Sequence, residues 1–549
     1  MKKILIFCGI LTLMFSACYE DEGNYTYDES ITDISVKLNE TYGLKKADDV
    51  MSYTITPEIK TGDGDKSYLK YAWTMNTSNA NSKGDTIATS ESLTLTMDPN
   101  ASDFKYKYYL RLYVENTRQN TVTMVPTQLQ IIKPYSDSWI VLHDNGGHAE
   151  LGAVEYLGNE ALVTLDAFTK ESGTSLTGQP LALGVRQEEI ASYLSSYWGM
   201  TAQSQLYVNT TNVEESGLYS QVDRFKLMAN WQNLTDPSQQ ASLDFSDIAL
   251  SPTNGGMMMC SNGQMANSGY YSPFFFLMTR ADNLYNDYYI SKAVGGPHTG
   301  VGFDRLNHRF LHLAMQSSQY WYGYVPGTGY KGAVIEPIPY NEGNKADPSS
   351  VDPNEEVIAM IPGYKYSNQY PAKWQKYSAY AYAIAPGNKS HVWVFRFYEL
   401  THAGEVTVPL SYEFPTPAGI NASTPMASSY IYNNILFYAV DNKVYKLDIA
   451  SGSTSLIWQS EDTQAKVTCL KMAVDGYSGW GVDDNPNYGE EQYGHPYCRC
   501  LGVGLNTSDG AGQFVVLQLN TAGKVDSDGK HPAVQVYRGF GKVKDIVFI

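Results

Sequence analysis

Several things are scarce in this chain, and each scarcity excludes something. Six cysteines in 549 residues are too few for a disulfide framework. Two of them, Cys8 and Cys18, lie in the first eighteen residues, which leaves Cys260, Cys469, Cys498 and Cys500 for the body. Basic residues number 39 against 57 acidic ones, a formal net charge of −18, which argues against nucleic acid or an anionic membrane surface as partner. Beyond the N-terminus no apolar run approaches the roughly 20 residues that a spanning helix needs. Helical periodicity is almost missing too. Only "RQEEIASYLSSYWG" (186–199) spaces Ile190 and Leu194 at helical interval, which predicts a short surface helix. No G-x-S-x-G, H-E-x-x-H or Walker-type phosphate loop occurs.

What is present begins with "MKKILIFCGILTLMFSACYEDE". Lys2 and Lys3 precede an uncharged apolar run from Ile4 to Met14, too short to span a bilayer and suited to the h-region of a signal peptide. Phe15-Ser16-Ala17-Cys18 resembles the bacterial lipobox, which implies cleavage after residue 17 and acylation of Cys18. The mature chain then has 37 basic and 57 acidic residues, net −20, and touches the membrane through lipid alone. Glu20, Asp21 and Glu22 resemble the acidic export signal of Bacteroidota lipoproteins, which implies display on the outer face of the outer membrane. Residues 18–30 also read as a solvated tether, because clustered like charges disfavour compact structure.

Residues 31–133 show strand after strand: "ITDISVKL", "SYTITPEI", "YLKYAWTM", "ESLTLTM", "YYLRLYVEN" and "TVTMVPTQLQII". Six or seven strands in about 100 residues, parted by turns such as "TGDGDKS" and "MDPNASD", predict a β-sandwich with Trp73 between its sheets. "YLKYAWTMN" and "YKYYLRLYVENTRQNTVTMV" resemble the tryptophan strand and closing hairpin of the PKD-like, immunoglobulin-related domain.

"KPYSDSW" reads as a hinge over 134–138, since Pro134 breaks strand pairing. From Trp139 to Ile549 further β units follow. They lie at "WIVLHDNGGHAELGAVEY", "QLYVNTTNVEESGLY", "GGMMMCSNGQMANSGYY", "RFLHLAMQSSQYWYGYV", "YAYAIAPGNKSHVWVFRF", "ILFYAVDNKVYKLDIASGSTSLIWQ" and "FVVLQLNTAGKV". Their spacing of about 60 residues predicts an all-β chain that ends in a β-propeller with long loops. Seven blades is the expectation, with six and eight as the alternatives. The final "RGFGKVKDIVFI" reads as one β-run that closes the ring on the first blade. The opening "CYEDEGNYTYDE" and this ending resemble a PKD-like lipoprotein family of Bacteroidota, so the resemblance covers nearly the whole chain.

Candidate chemistry is thin. Ser67 to Lys70 meets S-x-x-K but lies in a sandwich strand without companion motifs. His308 and His312 would sit roughly 13 Å apart along a strand, too far for one zinc ion. His143 and His148 flank a turn without a third ligand, and no metal or cofactor is assigned. "DSDGK" (526–530) and "TGDGDKS" read as polar turns, with calcium as the lesser reading. Cys498 and Cys500 are poorly placed to bridge each other, and either faces Cys469 if the strands adjoin. Buried unpaired thiols fit equally well. Asp483, Asp484, Glu490 and Glu491 gather in a solvated loop, unlike the buried acid of a glycosidase.

Aromatic residues are the remaining signal, 44 of them tyrosine and nine tryptophan. Most of these rings suit strands and the spaces between sheets. Trp198, Tyr271, Trp321, Trp374 and Trp480 fall in Gly-, Pro- or Asn-rich segments and are the candidate ligand-binding rings. Asp85-Thr86-Ile87 resembles the Bacteroidota O-glycosylation triplet, which implies modification at Thr86. The family resemblance implies a non-catalytic surface lipoprotein that binds a polysaccharide or peptide for a SusC/SusD-type outer-membrane import system. Two other readings stand beside it: a propeller-based glycoside hydrolase or lyase, and a protein-binding assembly partner of the transporter.

Overall fold

A computed structural model describes residues 34–77, 82–132, 134–135, 138–157, 160–186, 205–212, 214–220, 224–230, 248–250, 257–260, 274–277, 290–295, 299–314, 334–338, 347–367, 377–398, 406–429, 431–473, 499–529 and 531–549. The signal segment, Cys18, the acids at 20–22, the acids at 483–491 and the helix expected over 186–199, except Arg186 at the end of a strand, lie outside them. The described chain is nearly all β, with a single short helix, and none of its helices is long and apolar enough to cross a membrane. It divides into two compact units between Ile131 and Ile132.

The first unit holds β1 (Ile34–Lys37), β2 (Thr41–Lys45), β3 (Met51–Ile55), β4 (Glu58–Thr61), β5 (Leu69–Asn76), β6 (Asp85–Ala88), β7 (Leu93–Met97), β8 (Lys107–Asn116) and β9 (Thr121–Ile132). Five form a sheet in the order β2-β9-β8-β5-β6, and two ribbons, β1-β4 and β3-β7, share its core. Strand β8, "KYYLRLYVEN", shows the period-2 rule plainly. Tyr108, Leu110, Leu112 and Val114 are buried, while Tyr109, Arg111, Tyr113 and Glu115 face outward. Trp73 is fully buried, and its indole N–H donates to the carbonyls of Ser90 and Glu91 at 3.2 Å. Nine strands replace the expected six or seven. Thr56-Pro57 divides "SYTITPEI" into β3 and β4, since proline has no N–H for the ladder. The half-buried β2 and the exposed β6 carry too little alternation to announce themselves.

The second unit contains seven sheets among the described residues. The first has β10 (Ser138–Asp144), β11 (Ala149–Leu157) and β12 (Glu160–Thr164), followed by helix α1 (Ala167–Ser172). The second has β13 (Pro180–Arg186), β14 (Gln205–Thr210), β15 (Gly217–Ser220) and β16 (Lys226–Asn230). The third has β17 (Ile248–Leu250), β18 (Met257–Cys260) and β19 (Phe274–Leu277). The fourth has β20 (Ile290–Gly295), β21 (Thr299–Asp304), β22 (Arg309–Ala314) and β23 (Val334–Pro337). The fifth has β24 (Ala359–Ser367), β25 (Tyr377–Ala385), β26 (Lys389–Tyr398) and β27 (Val406–Pro415). The sixth has β28 (Met426–Ala427), β29 (Ile435–Val440), β30 (Lys443–Asp448) and β31 (Ser453–Gln459). The seventh has β32 (Lys466–Met472), β33 (Cys500–Asn506), β34 (Gly512–Gln518) and β35 (Val534–Phe540).

Each sheet is an antiparallel meander in chain order, and each of the seven quoted sequence segments falls in a different one. The last strand, β36 (Lys542–Phe548), breaks this order. It returns to the first sheet and pairs antiparallel with β10, Trp139 opposite Phe548 and Val141 opposite Ile546. The terminal run is therefore two strands, not one. Gly539 (φ 98°) and Gly541 turn the chain between them, and a Cβ at Gly541 would strike the Asp144 carbonyl.

Apolar seams join the sheets. Trp139 and Val154 of the first pack on Phe514 and Val516 of the seventh, and Ile140 and Leu151 pack on Leu183 and Leu206 of the second. Similar seams join the fourth to the fifth, the fifth to the sixth and the sixth to the seventh. Packing on both faces explains why β10 and β33 are buried almost throughout and show no alternation.

Candidate functional site

Between α1, the 174–176 turn and the β15–β16 hairpin lies a cleft of about 480 Å³. Behind the α1 wall stands a buried carboxylate that does not itself line the cleft. Glu150 of β11 is fully buried and accepts the N–H groups of Phe168 at 3.0 Å and Thr169 at 3.2 Å, together with the Thr169 hydroxyl. It thus satisfies the orphan donors at the N-terminus of α1, which the Asp166 side chain does not cap. Gly173 at φ 75° ends the helix, its N–H donating to Thr169 O at 3.0 Å.

The floor is aromatic. Phe168 meets Tyr219 edge-on at 5.7 Å, and Phe225 is backed by Tyr135, which does not line the cleft, with ring centroids 4.8 Å apart. The Tyr135 hydroxyl donates to Glu171 Oε1 at 2.7 Å, and its N–H donates to Glu155 Oε1 at 2.9 Å. Burial, followed by the neighbouring Glu171 carboxylate, raises the pKa of that hydroxyl and keeps it a donor. Burial also raises the pKa of Tyr219, whose hydroxyl donates to Glu215 O at 2.6 Å.

Glu215 holds the rim. Its oxygens accept Thr177 N–H at 2.9 Å, the Thr177 hydroxyl at 2.6 Å and Gly178 N–H at 3.1 Å. On the opposite rim Arg224 and Phe225 stand at φ 59° and 54°, two successive left-handed residues that carry side chains. Arg224 and Lys226 are exposed there. The cleft therefore offers cations, carboxylates and the hydroxyls of Ser172, Thr174 and Ser175 above an apolar floor. Among the described residues lining it there is no histidine or cysteine.

The sequence motifs resolve differently. His143 is a structural residue. Gly541 N–H donates to its Nδ1 at 3.0 Å, and its Nε2 lies 2.9 Å from Leu165 O, so it is a neutral ring with both nitrogens used. His148 sits in the adjoining turn, where its carbonyl accepts Asn145 N–H. His308 precedes β22 at φ 51°, off the strand it was expected to share with His312. In "TGDGDKS" the Arg118 guanidinium, not a metal ion, meets the acids. It reaches Asp63 at 2.8 Å and Asp65 at 2.7 Å while lying 3.9 Å over the Tyr68 ring. In "DSDGK" Asp528 is taken up by the N–H and Nδ1 of His531. Ser67 of the S-x-x-K pattern donates to the Asp65 carboxylate at 3.0 Å.

Cys469 and Cys500 are both buried thiols. Cys469 lies opposite Gly504, while Cys500 lies opposite Gln518 and donates its S–H to Gln518 Oε1 at 3.1 Å. Cys498 lies outside the described residues, as does the side chain of Cys260. Trp198, Tyr271, Trp321, Trp374 and Trp480 also lie outside them. Thr86 is exposed on the edge strand β6.

None of the cleft residues was singled out from the sequence. Glu171 and Glu215 look like ordinary acids in helix and turn, and only the fold gathers them beside Arg224 and Lys226. Another such gathering is His391 of β26, set between Glu355 at 2.5 Å and Glu413 at 2.9 Å.

Residues 18–180 match the PKD-like family. The chain carries a PKD-like domain. Among solved structures it is similar to a quinonprotein alcohol dehydrogenase-like protein from Bacteroides thetaiotaomicron, at 12% identity and TM-score 0.36, over 93% of this chain and 97% of that one. A DUF4784 family protein from Bacteroides caccae matches at 10% identity and TM-score 0.21, over 94% and 98%. The Synechocystis apocarotenoid oxygenase matches at 7% identity and TM-score 0.27, over 92% and 96%. Scores this low carry no argument about activity. No curated protein matches the chain.

Proposed function

We propose that this is a non-catalytic, lipid-anchored binding protein of the bacterial outer surface. In this reading the PKD-like domain follows the acylated Cys18 and the acidic tether. The seven sheets of the second unit are the blades of a β-propeller closed by β36 on β10. The ligand is a nutrient polymer, glycan or peptide, held for a SusC/SusD-type importer. One observation supports this most directly: the cleft beside α1 joins an aromatic floor to hydroxyls and charges of both signs, the lining of a polar-ligand site.

Glu171 and Glu215 share the cleft, and this favours the hydrolase as the second reading. It is the weaker of the two. The three donors on Glu215 use its carboxylate to hold the 177–178 backbone, and Tyr135 occupies one oxygen of Glu171. The test is calorimetry of soluble protein from Asn24 to Ile549 against polysaccharides and peptide digests, with product release assayed in the same mixtures. Binding without turnover, weakened in Lys226→Ala, supports the proposal. Turnover lost in Glu171→Gln overturns it in favour of the hydrolase, and silence in both assays overturns it in favour of a protein partner.

A further inference from the structure

The two sides of the cleft beside α1 differ in hydrogen-bonding character. On the α1 side the hydroxyl protons are already used. The Thr169 hydroxyl gives its proton to Glu150, so at the 3.2 Å contact between Thr169 Oγ1 and Ser175 Oγ the serine is the donor. Ser172 Oγ donates to Thr174 O at 2.8 Å and accepts Thr174 N–H at 3.2 Å. Glu171 accepts the Tyr135 hydroxyl on Oε1, and its Oε2 has no partner among the described residues. Glu171, Ser172 and Ser175 are therefore left with lone pairs alone, on a side that carries negative charge. Lys226 on the opposite rim is the reverse case. It is exposed, has no ion pair with a described residue, and its ammonium can only donate.

The aromatic floor is sealed. Phe168, Tyr219 and Phe225 are only 6%, 2% and 1% exposed, because the rings pack on one another. A sugar that binds by stacking needs a bare ring face, and these rings are covered.

From this we infer that the cleft holds a short peptide by its charged ends, an inference that rests on the cleft being a ligand site as proposed above. The peptide's ammonium, with three donors and no acceptor, meets Glu171 and the two serine hydroxyls, and its carboxylate meets Lys226. An aliphatic side chain between the ends has Leu176 and Leu227 of the lining to rest on. A neutral glycan brings no charge to either side, so Glu171 and Lys226 would lose water without gaining a counter-ion. The volume of about 480 Å³ falls in the range that encloses ligands larger than one amino acid.

The experiment is calorimetry of the chain from Asn24 to Ile549 with the tripeptide Ala-Leu-Ala, its N-acetylated and C-amidated forms, free leucine and maltohexaose. The free tripeptide is expected to bind, and acetylation or amidation to weaken it about tenfold each. In Glu171→Gln, whose amide oxygen still accepts from Tyr135, acetylation is expected to make little further difference. In Lys226→Gln the same holds for amidation. Pairing each ligand change with a protein change reads the contact itself and not the folding of the variant. Equal binding of free and blocked peptides overturns the inference, as does a blocking effect undiminished in both variants. Leucine bound as tightly as the tripeptide overturns it in favour of a free amino acid. Maltohexaose bound by the parent and lost in Lys226→Gln overturns the peptide while keeping the cleft as the ligand site. Silence of every ligand overturns the inference, and the polysaccharide and digest titrations above then decide the reading beneath it.

Discussion

Lys471 and Asp545 form an ion pair at 3.1 Å, and both hold the backbone of Leu183. The ammonium donates to Leu183 O at 2.6 Å, while Asp545 Oδ2 accepts Leu183 N–H at 2.8 Å. Lys471 stands on the first strand of the seventh sheet, Asp545 on the closing strand and Leu183 on the first strand of the second sheet. Three sheets distant in sequence thus meet at one half-buried knot. Lys471→Met leaves the carboxylate with only the N–H groups of Leu183 and Ile546 and no countercharge, and is expected to cost about 1–3 kcal/mol, less than in a fully buried pair because the lysine is partly exposed. Urea unfolding of parent and variant measures this, and an unchanged midpoint contradicts it.

His143 makes stability depend on pH. Burial holds its pKa below the ordinary value of 6.5, so the folded ring stays neutral where the unfolded one protonates. The unfolded state therefore binds more protons as pH falls. The contribution of His143 is complete above about pH 6.5 and declines as pH drops from there toward its lowered value. Thermal melts from pH 8 to 5 are expected to show this decline, and His143→Gln to flatten it while lowering stability by about 1–3 kcal/mol at pH 8.

Glu150 links stability to the cleft. Glu150→Ala leaves the N–H groups of Phe168 and Thr169 without their acceptor and is expected to cost about 2–3 kcal/mol. Because α1 forms one wall of the cleft, ligand affinity is expected to fall with it. Calorimetry on folded variant protein checks the second effect separately from the first.

Cys469 is expected to be inert. Burial pushes its thiol up to about 12, and the side chain is almost wholly enclosed. Treatment of native protein with iodoacetamide at pH 8, followed by peptide mass mapping, should leave Cys469 unlabelled and label it only after unfolding.

The sequence by itself settled the β character of the chain. "YYLRLYVEN" was legible as a strand without help from any partner strand, and Trp73 was legible as core from its run alone. Strands such as β2 and β6 were not legible, since weak alternation carries little information until a neighbouring strand supplies the ladder. The turn "TGDGDKS" read as polar from its composition, yet what satisfies Asp63 and Asp65 is Arg118, more than fifty residues away. The cleft was hidden for the same reason. Glu171 comes from a helix, Glu215 from a turn and Lys226 from a hairpin, and no local spacing connects them. Local pattern determined which residues turn inward, because side-chain direction has a fixed period along a strand. The return of the terminal run to the first β unit was expected from the sequence, but only the tertiary structure decided that β36 alone makes it, with Trp139 opposite Phe548, and that Lys471 meets Asp545, because register and such contacts depend on the path of the chain and leave no periodic trace.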